Sequence, residues 1–579
     1  MPETRKTSGS IPAFCVLAVT GLVALGSCTA VITDPSGRRD AAEPGASGDV
    51  GLGGAGSAEV PGAAAALPTC ADPGAHAVPK LLRLSNEEYR NIVSDVMGVT
   101  VDREHFGAWT PIAEVFGFDT MSETRLDARG LGEQLKTSEA LAQLALGSPT
   151  LTRGCPAPLT PAPPAAGIDL TWEGCGKPLV SRLAGRSFRR PLRADELGDY
   201  QRVFESSLQE AVVAELPNPF YEGLTTVVQA VLLSPSFVFK PELVPGGLDA
   251  AERSYGIASK LALFVRSSVA DEELWGLAES GALLDPQLIR EQAERLMGQD
   301  EERFTRSFGG QWLDFRDDAS EGEALMVSMQ NETNDVFRRV LSDGLPPQRL
   351  LAPGYTFVDQ ALATHYGLAF EVGGAPVQQV MTDARGGLLS HGAFLKRTAN
   401  GSEFRRPIHR GLWTMTRLLC RELPRLDPAT VEEIAESFES IDRSLPLSEQ
   451  MAIHRSGSPR CLGCHGEIDP IGLALEKYDK QGLWREVDMN GHPIVSDLQL
   501  FGQHVGDPMQ LASAIEGSLE YRNCVATKLL TFALNRGPLA EEGCLAQDLA
   551  SAKQGTDPSL KSLAIDALLA SLHLTSVAP

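Results

Sequence analysis

The sequence predicts a mainly α-helical protein made of several small helical bundles in series, with a few short strands. Three observations lead to this fold class. Apolar residues recur at helical spacing between helix-capping signals, the alternation typical of strands is scarce, and Pro-rich breaks divide a chain of 579 residues. At about 150 residues per domain, a chain of this length is expected to form roughly four domains. A single compact domain is therefore not expected.

The first helix is predicted in the stretch RLSNEEYRNIVSDVMG, which begins at Arg83. Ser85 and Glu88 have the spacing of a capping box, in which each side chain accepts a hydrogen bond from the other residue's main-chain N–H. Gly98 is the expected stop, because glycine readily adopts the left-handed conformation that ends many helices. The apolar face is predicted to consist of Leu84, Tyr89, Ile92, Val93 and Val96.

Later elements follow from the same kinds of signal. A second helical stretch, RADELGDYQRVFESSLQEAV, has an apolar stripe made of Leu197, Tyr200, Val203, Phe204 and Leu208. A further helix is predicted with Asp285 as its cap, Pro286 as its first residue and Gly298 as its stop. Short strands or hairpin arms are predicted in APVQQVMT and GHPIVSDLQL.

Residues 1–28 have the pattern of a lipoprotein signal peptide. Arg5 and Lys6 form a basic start, and the apolar run from Ile11 to Leu25 is too short to span a bilayer comfortably. The ending Leu-Gly-Ser-Cys resembles a bacterial lipobox and predicts lipidation of Cys28, with an ordinary cleavage site as the alternative. Both alternatives predict an extracytoplasmic protein, in the periplasm or at the outer membrane or cell surface, and the lipid would be its membrane anchor.

Composition changes divide the rest of the chain. Residues 29–79 are rich in Gly, Ala and Pro and predict a disordered tether, because such a segment buries too little apolar area to offset the entropy of ordering. The predicted modules are an N-terminal helical module at 80–147, a second helical module at 168–240, a third at 241–375, a cytochrome c-like haem-attachment module at 384–490 and a C-terminal helical module at 500–575.

The chain is strongly acidic, with a formal net charge of -24 and a pI near 4.9. Nucleic-acid backbones and anionic lipid surfaces bind clustered Lys and Arg. Nucleic acid is therefore not an expected partner. One basic island, SEFRRPIHRG, contains Arg405, Arg406, His409 and Arg410, and it predicts either a docking surface or a solvated helix start.

The cysteines of an exported chain are expected to form disulfides. Proximity in the sequence favours Cys155 with Cys175 and Cys524 with Cys544. Cys70 with Cys420 then follows by elimination, although sequence alone does not determine connectivity.

The segment RCLGCHGEIDP contains Cys461, Cys464 and His465 in the spacing of a haem c attachment site. The two thiols would form thioethers with the porphyrin, and the histidine would be the proximal iron ligand. A zinc site usually needs a second close pair, and the sequence has no other Cys-x-x-Cys. A thioredoxin-like pair needs a βαβ setting that the helical flanks do not offer. A Cys461–Cys464 disulfide is the remaining alternative to one covalently bound haem c.

Asp469 and Pro470 predict the start of a new helix, so the attachment helix is expected to end within about a turn of His465. His454 is the favoured distal ligand, with a solvent-exposed or structurally hydrogen-bonded histidine as the alternative. The other candidate distal ligands are Met451, Met489, His492, His504 and Met509.

Arg455 and Arg485 flank the Cys-x-x-Cys-His segment in the sequence. Both are expected to neutralise the haem propionates, and exposed surface arginine is the alternative for each.

These segments resemble a large bacterial family of secreted multi-module proteins of unknown function, the predicted planctomycete-type cytochromes c, which are also abundant in myxobacteria. The resemblance spans nearly all of the chain after the tether, and the segments that carry it are LLRLSNEEYRNIVSDVMG, RSFRRPLRADELGDYQRVF, LLSPSFVFK to FGGQWLDF, GGLLSHGAFLKRTANGSEFRRPIHRGLW with HRSGSPRCLGCHGEIDPIGLALEKYDKQGLWR, and CVATKLLTFALNR. It implies a periplasmic or surface haem protein serving electron transfer. Ile468 stands where the family usually has Met, but a residue three positions after the proximal His lies on the same side of the ring, so iron ligation is expected to be unaffected.

The leading functional prediction is a lipid-anchored c-type cytochrome that transfers one electron at a time to a redox partner protein. The first alternative is a haem-dependent oxidative enzyme that acts on an extracellular polymer such as a polysaccharide. The second is a non-haem scaffold or carbohydrate-binding protein. No nucleophile elbow or phosphate-binding Gly loop points to another activity.

Overall fold

The structure is a computed structural model that describes residues 81–101, 103–106, 109, 112–121, 128–241, 249–316, 324–381, 385, 387–399, 404–421, 441–457, 459–537, 542–551 and 556–576. Cys28, the rest of the predicted signal peptide and the predicted tether lie outside these residues, as does Cys70.

Helices dominate the described residues, and the mainly α fold class with a few short strands is confirmed. The helices of the first half are α1 (Asn86–Met97), α2 (Ala128–Gly147), α3 (Lys177–Ser187), α4 (Ala194–Val213), α5 (Pro219–Leu233), α6 (Pro235–Val238), α7 (Ala250–Arg266), α8 (Glu272–Glu279), α9 (Pro286–Gln299), α10 (Glu301–Phe304) and α11 (Gly310–Trp312). Those of the second half are α12 (Ala324–Ser342), α13 (Gln360–Tyr366), α14 (Gly392–Arg397), α15 (Arg405–Trp413), α16 (Leu447–Ser456), α17 (Pro459–Ala474), α18 (Pro508–Glu516), α19 (Leu519–Leu534), α20 (Gly543–Ala550) and α21 (Leu560–Ser576).

The described strands form three antiparallel pairs. They are β1 (Leu81–Arg83) with β2 (Phe239–Pro241), β3 (Tyr355–Val358) with β4 (Gln378–Met381), and β5 (Leu498–Leu500) with β6 (Gln503–Val505). β4 and β5 lie in the two segments for which the sequence predicts strands or hairpin arms.

The capping predictions hold at most helix ends. Ser85 and Glu88 form the predicted capping box, and Gly98 ends α1 in the left-handed conformation with a φ of 65°. Asp285 caps α9 by accepting a hydrogen bond from the main-chain N–H of Gln287. The predicted stop at Gly298 is wrong by two residues, because α9 continues through Gln299 and its C-cap is Asp300.

Buried apolar side chains form two large clusters. One joins the first two predicted modules and includes Tyr89, Leu183 and Val228. The other joins the third, haem-attachment and C-terminal modules and includes Phe308 and Leu568. A small third cluster supports α16 and α17 and consists of Phe404, Ile441, Leu447, Met451 and Leu473. Packing therefore continues across the Pro-rich breaks of the sequence.

Helices α15 and α17 cross at direct backbone contact because each carries a glycine at the crossing. A Cβ atom at Gly472 would overlap the main-chain oxygen of Pro407, and one at Gly411 would overlap the main-chain oxygen of Ile468. Ile468 is only 4 % exposed. The crossing holds the Cys-x-x-Cys-His helix firmly against the rest of its module.

We expect Gly472→Ala to lower the free energy of unfolding by about 3 kcal/mol, because the added methyl group meets rigid backbone rather than a flexible side chain. Urea denaturation measures this change. Gly463→Ala in the same helix is the matched control, since a Cβ there has no atom within 4 Å and alanine favours helix by about 1 kcal/mol over glycine. Equal stability changes in the two variants would contradict the role assigned to the crossing.

The predicted disulfide between Cys155 and Cys175 is confirmed, with a Cα–Cα distance of 4.7 Å. It joins the Pro-rich segment before α3 to the π-helical turn Trp172–Gly176.

The second predicted pairing is wrong. Cys524 is bonded to Cys420, 104 residues away in sequence, and not to Cys544. Cys524 lies on α19, and this helix packs against the π-helical turn Thr414–Leu418 that leads into Cys420. Cys544 is itself disulfide-bonded, and the predicted Cys70–Cys420 bond is excluded because Cys420 is already paired. The contact between helix faces, rather than closeness in sequence, decides the pairing.

The disulfides are consistent with an extracytoplasmic protein, since such bonds persist in oxidising compartments. Within the described ranges, no helix combines the length and apolar character that crossing a membrane requires.

Candidate functional site

The Cys-x-x-Cys-His segment lies within helix α17. Residues separated by three or four positions share one face of a helix, so Cys461, Cys464 and His465 are neighbours on that face. Cys461 is buried and Cys464 is half-buried, and both are thiols rather than partners in a disulfide. The disulfide alternative for this pair is therefore not what the structure contains.

The predicted helix break at Asp469 and Pro470 is wrong, because α17 is continuous from Pro459 to Ala474 with Pro470 inside it. Proline removes one main-chain hydrogen bond and usually bends or ends a helix. Here the turn that follows is held by the tight backbone packing of Gly472 against helix α15. Tertiary packing therefore overrides the local signal, and Asp469 becomes part of the helix face that carries His465.

The imidazole of His465 is oriented by Asp469. Its Nδ1 lies 2.8 Å from Oδ1 of Asp469, one helical turn further along α17. Asp469 is fully buried, and its other carboxylate oxygen lies 3.5 Å from a guanidinium nitrogen of Arg455. Burial raises the pKa of Asp469, whereas His465 and Arg455 oppose that rise. Carboxylate contacts of this kind orient the histidines that bind metals and increase their basicity.

Asp469 is the site residue that sequence reasoning missed as a partner of the histidine, having treated it only as a helix cap. The signal was present as a His and an Asp four residues apart, which meet on one face when a helix runs through both.

His454, the predicted distal ligand, lies against the ring of His465. The two ring centroids are 4.4 Å apart and the planes are nearly perpendicular at 87°. His454 is 3 % exposed, and burial, His465 and Arg455 lower its pKa to about 4. The ring is therefore neutral at pH 7, the form in which histidine binds metals.

This contact bears on the distal-ligand prediction. Metal–imidazole nitrogen bonds are about 2 Å long, so two histidines on opposite faces of one iron hold their ring centroids roughly 6 Å apart. Distal ligation by His454 thus requires the rings of His454 and His465 to separate, and it stays a prediction.

The other predicted distal ligands are spread over the module and its C-terminal flank. Met451 is fully buried and Met489 is 72 % exposed. His492 contacts the main-chain oxygen of Ser444, His504 is exposed beside Asp497, and Met509 is half-buried in α18.

The two predicted propionate partners have different surroundings. Arg455 lies beside Asp469 and therefore close to His465. Arg485 instead donates to the buried carboxylate of Glu476 at 2.7 Å and to its main-chain oxygen at 2.9 Å. Both propionate roles stay predictions, and the contacts of Arg455 place it nearer to the histidine.

The prediction that the basic island lies at the surface is wrong for two of its arginines. Arg406 and Arg410 are buried, and both bind Glu476, which is itself fully buried. Four residues separate the two arginines, so they project from one face of α15, and this face packs on the end of α17. Arg406, Arg410 and Arg485 therefore form an ion-pair cluster with Glu476, next to the C-terminal end of the Cys-x-x-Cys-His helix.

Within the described ranges, no three His, Cys, Asp or Glu side chains converge as a group that could hold a metal ion. The site consists of two thiols, an oriented histidine and a second, neutral histidine at its side.

Three protein-family models match the chain. Residues 175–242 match a protein of unknown function named PSD5 (DUF1595), residues 253–368 match PSD4 (DUF1592), and residues 385–488 match PSCyt3 (DUF1588). The third match contains the Cys-x-x-Cys-His segment. No curated protein and no solved structure matches the chain. The chain therefore carries, in series, three domains of a planctomycete-type multi-module family of unknown function.

Proposed function

We propose that this chain is an exported c-type cytochrome, anchored by lipid at Cys28, that transfers single electrons to a redox partner protein. Cys461 and Cys464 would hold one haem c through thioethers, and His465 would be its proximal ligand. When bound, this group supplies reversible one-electron chemistry, while the protein sets its potential by ligation, hydrogen bonding and burial.

The contact between His465 and Asp469 is the observation that supports this proposal most directly. A buried carboxylate 2.8 Å from Nδ1 fixes the ring orientation and keeps a proton on that nitrogen. Nε2 is then the nitrogen that would meet the iron. A histidine with only a structural role at a partly exposed helix surface has no need of a buried carboxylate partner.

The residues around this contact have separable roles. Arg455 offers positive charge to the second carboxylate oxygen of Asp469 at 3.5 Å and favours its ionised form. Leu462, on the same helix, is 56 % exposed and offers apolar surface beside the two thiols. The names of the matched domains, PSCyt and PSD, are in keeping with a cytochrome-like family.

Production of the protein in a host with a haem c maturation pathway tests this proposal. We expect the pigment to stay with the polypeptide on a denaturing gel and to give the pyridine haemochrome spectrum of haem c. Asp469→Asn should keep the covalent pigment but raise the midpoint potential, because an amide makes His465 a weaker donor than a carboxylate does. A colourless protein with a mapped Cys461–Cys464 disulfide would overturn the proposal and favour the non-haem scaffold.

A second candidate is haem-dependent oxidation of an extracellular polymer such as a polysaccharide. It is favoured by the 4.4 Å contact between the rings of His454 and His465. Because His454 lies directly beside the proposed proximal ligand, a haem held by His465 would keep a position for water or substrate. The spin state separates the two candidates, since distal ligation by His454 gives a low-spin spectrum that becomes high-spin in His454→Ala. A high-spin wild type would favour the oxidative enzyme.

A further inference from the structure

A cavity of about 660 Å³ lies where the N-terminal, second, third and C-terminal modules meet. No described residue of the Cys-x-x-Cys-His helix lines it. Its volume falls within the range of small-molecule sites. Its apolar lining is largely aromatic and includes Phe188, Phe239, Leu263, Phe264 and Phe532. An apolar ring or chain of moderate size would fit against these side chains.

The lining of the cavity also contains three buried charged residues. Glu88, Lys240 and Arg189 all line it and are exposed by only 2 %, 5 % and 6 %. The ammonium of Lys240 lies 2.7 Å from one carboxylate oxygen of Glu88 and 3.0 Å from the other. This pair is compact and neutral overall.

Arg189 has a different set of partners. Its guanidinium donates to the main-chain oxygens of Ser187, Ser236, Phe237 and Phe239, at distances between 2.6 and 3.4 Å. These four partners are uncharged. Among the three buried residues, Glu88 is therefore the single negative charge, and there are two positive charges, on Lys240 and Arg189. Burial lowers the pKa of Arg189 to about 10, which leaves it charged at pH 7. The three buried residues therefore carry one excess positive charge in a chain whose net charge is -24. The other charged residues of the lining are less buried, and they are Arg190, Arg193, Lys260, Asp249 and Glu252.

An excess charge in a buried wall is costly unless a counter-charge compensates it. The backbone at the same wall is strained as well. Arg189 lines the cavity and has a φ angle of 63°, in the region that residues other than glycine seldom adopt. Backbone strain of this kind concentrates at ligand sites.

We propose that this cavity binds an amphipathic carboxylate, with its apolar body against the phenylalanines and its anionic group beside Lys240 and Arg189. The site is separate from the thiol and histidine cluster, so the proposal stands independently of haem binding.

Calorimetric titration of the full chain with two probes tests this proposal. 8-Anilino-1-naphthalenesulfonate and N-phenyl-1-naphthylamine share the same rings, but only the first is an anion. We expect the anion to bind at one site, roughly tenfold more tightly than the neutral probe, which is the effect of one charge-assisted hydrogen bond. Laurate should displace it. Equal affinities, or no saturable binding of the anion, would overturn the proposal.

Two variants locate the binding. Ser259→Phe on α7 should fill the cavity and abolish binding of both probes, whereas Ser206→Phe on the exposed face of α4 is the matched control and should change neither. Lys240→Met should bring the anion down to the affinity of the neutral probe, since Glu88 then balances Arg189. If Lys240→Met does not fold, the comparison of the two serine variants decides, and unchanged binding in Ser259→Phe would contradict the assignment.

Discussion

Replacing Cys461 and Cys464 together by serine is expected to abolish covalent retention of haem by the polypeptide. Each thiol would form one of the two thioether bonds, and no other Cys-x-x-Cys occurs in the sequence. Each single substitution should leave one thioether and therefore a weaker attachment. In-gel haem staining after denaturation, with the pyridine haemochrome spectrum of the extracted protein, measures both effects.

The matched control is the double change Cys155→Ser with Cys175→Ser. It also removes two cysteines, but from a disulfide in another module, so the pigment should remain on the polypeptide even though the protein loses stability. Removal of a native disulfide typically costs about 2–5 kcal/mol. Full retention of pigment in the Cys461 and Cys464 double variant would rule out these thiols as the attachment point.

Glu476→Gln is expected to cause the largest loss of stability among single substitutions near the site, about 3–5 kcal/mol in the free energy of unfolding. The carboxylate is fully buried and binds Arg406, Arg410 and Arg485. Burial lowers the pKa of Arg410 to about 10, and Glu476 offsets part of this effect. Without the carboxylate, three guanidinium groups would repel one another around a neutral amide. Urea denaturation at pH 7 measures the loss.

Glu467→Gln is the matched control for that measurement. Glu467 lies on helix α17, whereas Glu476 follows two residues after its end. Glu467 binds Arg421 at 2.7 Å, but its side chain is 58 % exposed. Exposed ion pairs contribute between about 0 and 1 kcal/mol, because water screens them. If Glu476→Gln cost no more than Glu467→Gln, the buried cluster would not be the element that stabilises the contact between α15 and α17.

Local sequence signals predict the parts of this molecule that depend on neighbouring residues. Ser85 and Glu88 predict the start of α1 because both partners of the capping box lie within one turn. Closeness in sequence predicts the Cys155–Cys175 disulfide correctly, but the same 20-residue spacing fails for Cys524 and Cys544, because Cys524 pairs with Cys420. The mainly helical class follows from the same short-range patterns.

The candidate site is predictable only in part, for the same reason. The spacing of Cys461, Cys464 and His465 is a local property, and it identifies the segment. The role of Asp469 depends on whether a helix continues through Pro470, and the tight packing of Gly472 on Pro407 decides this. The Asp-Pro pattern, which usually marks a helix boundary, therefore fails where tertiary packing keeps the helix continuous.

Chain composition and short motifs thus account for the helical class, the first capped helix and the thiol-histidine segment, since each arises from interactions over a few residues. The burial of Arg406 and Arg410 around Glu476, the Cys420–Cys524 disulfide and the cavity between modules join residues far apart in sequence. These contacts depend on which helix faces meet. Many arrangements of the same helices satisfy one local pattern, so only the packed tertiary structure selects among them.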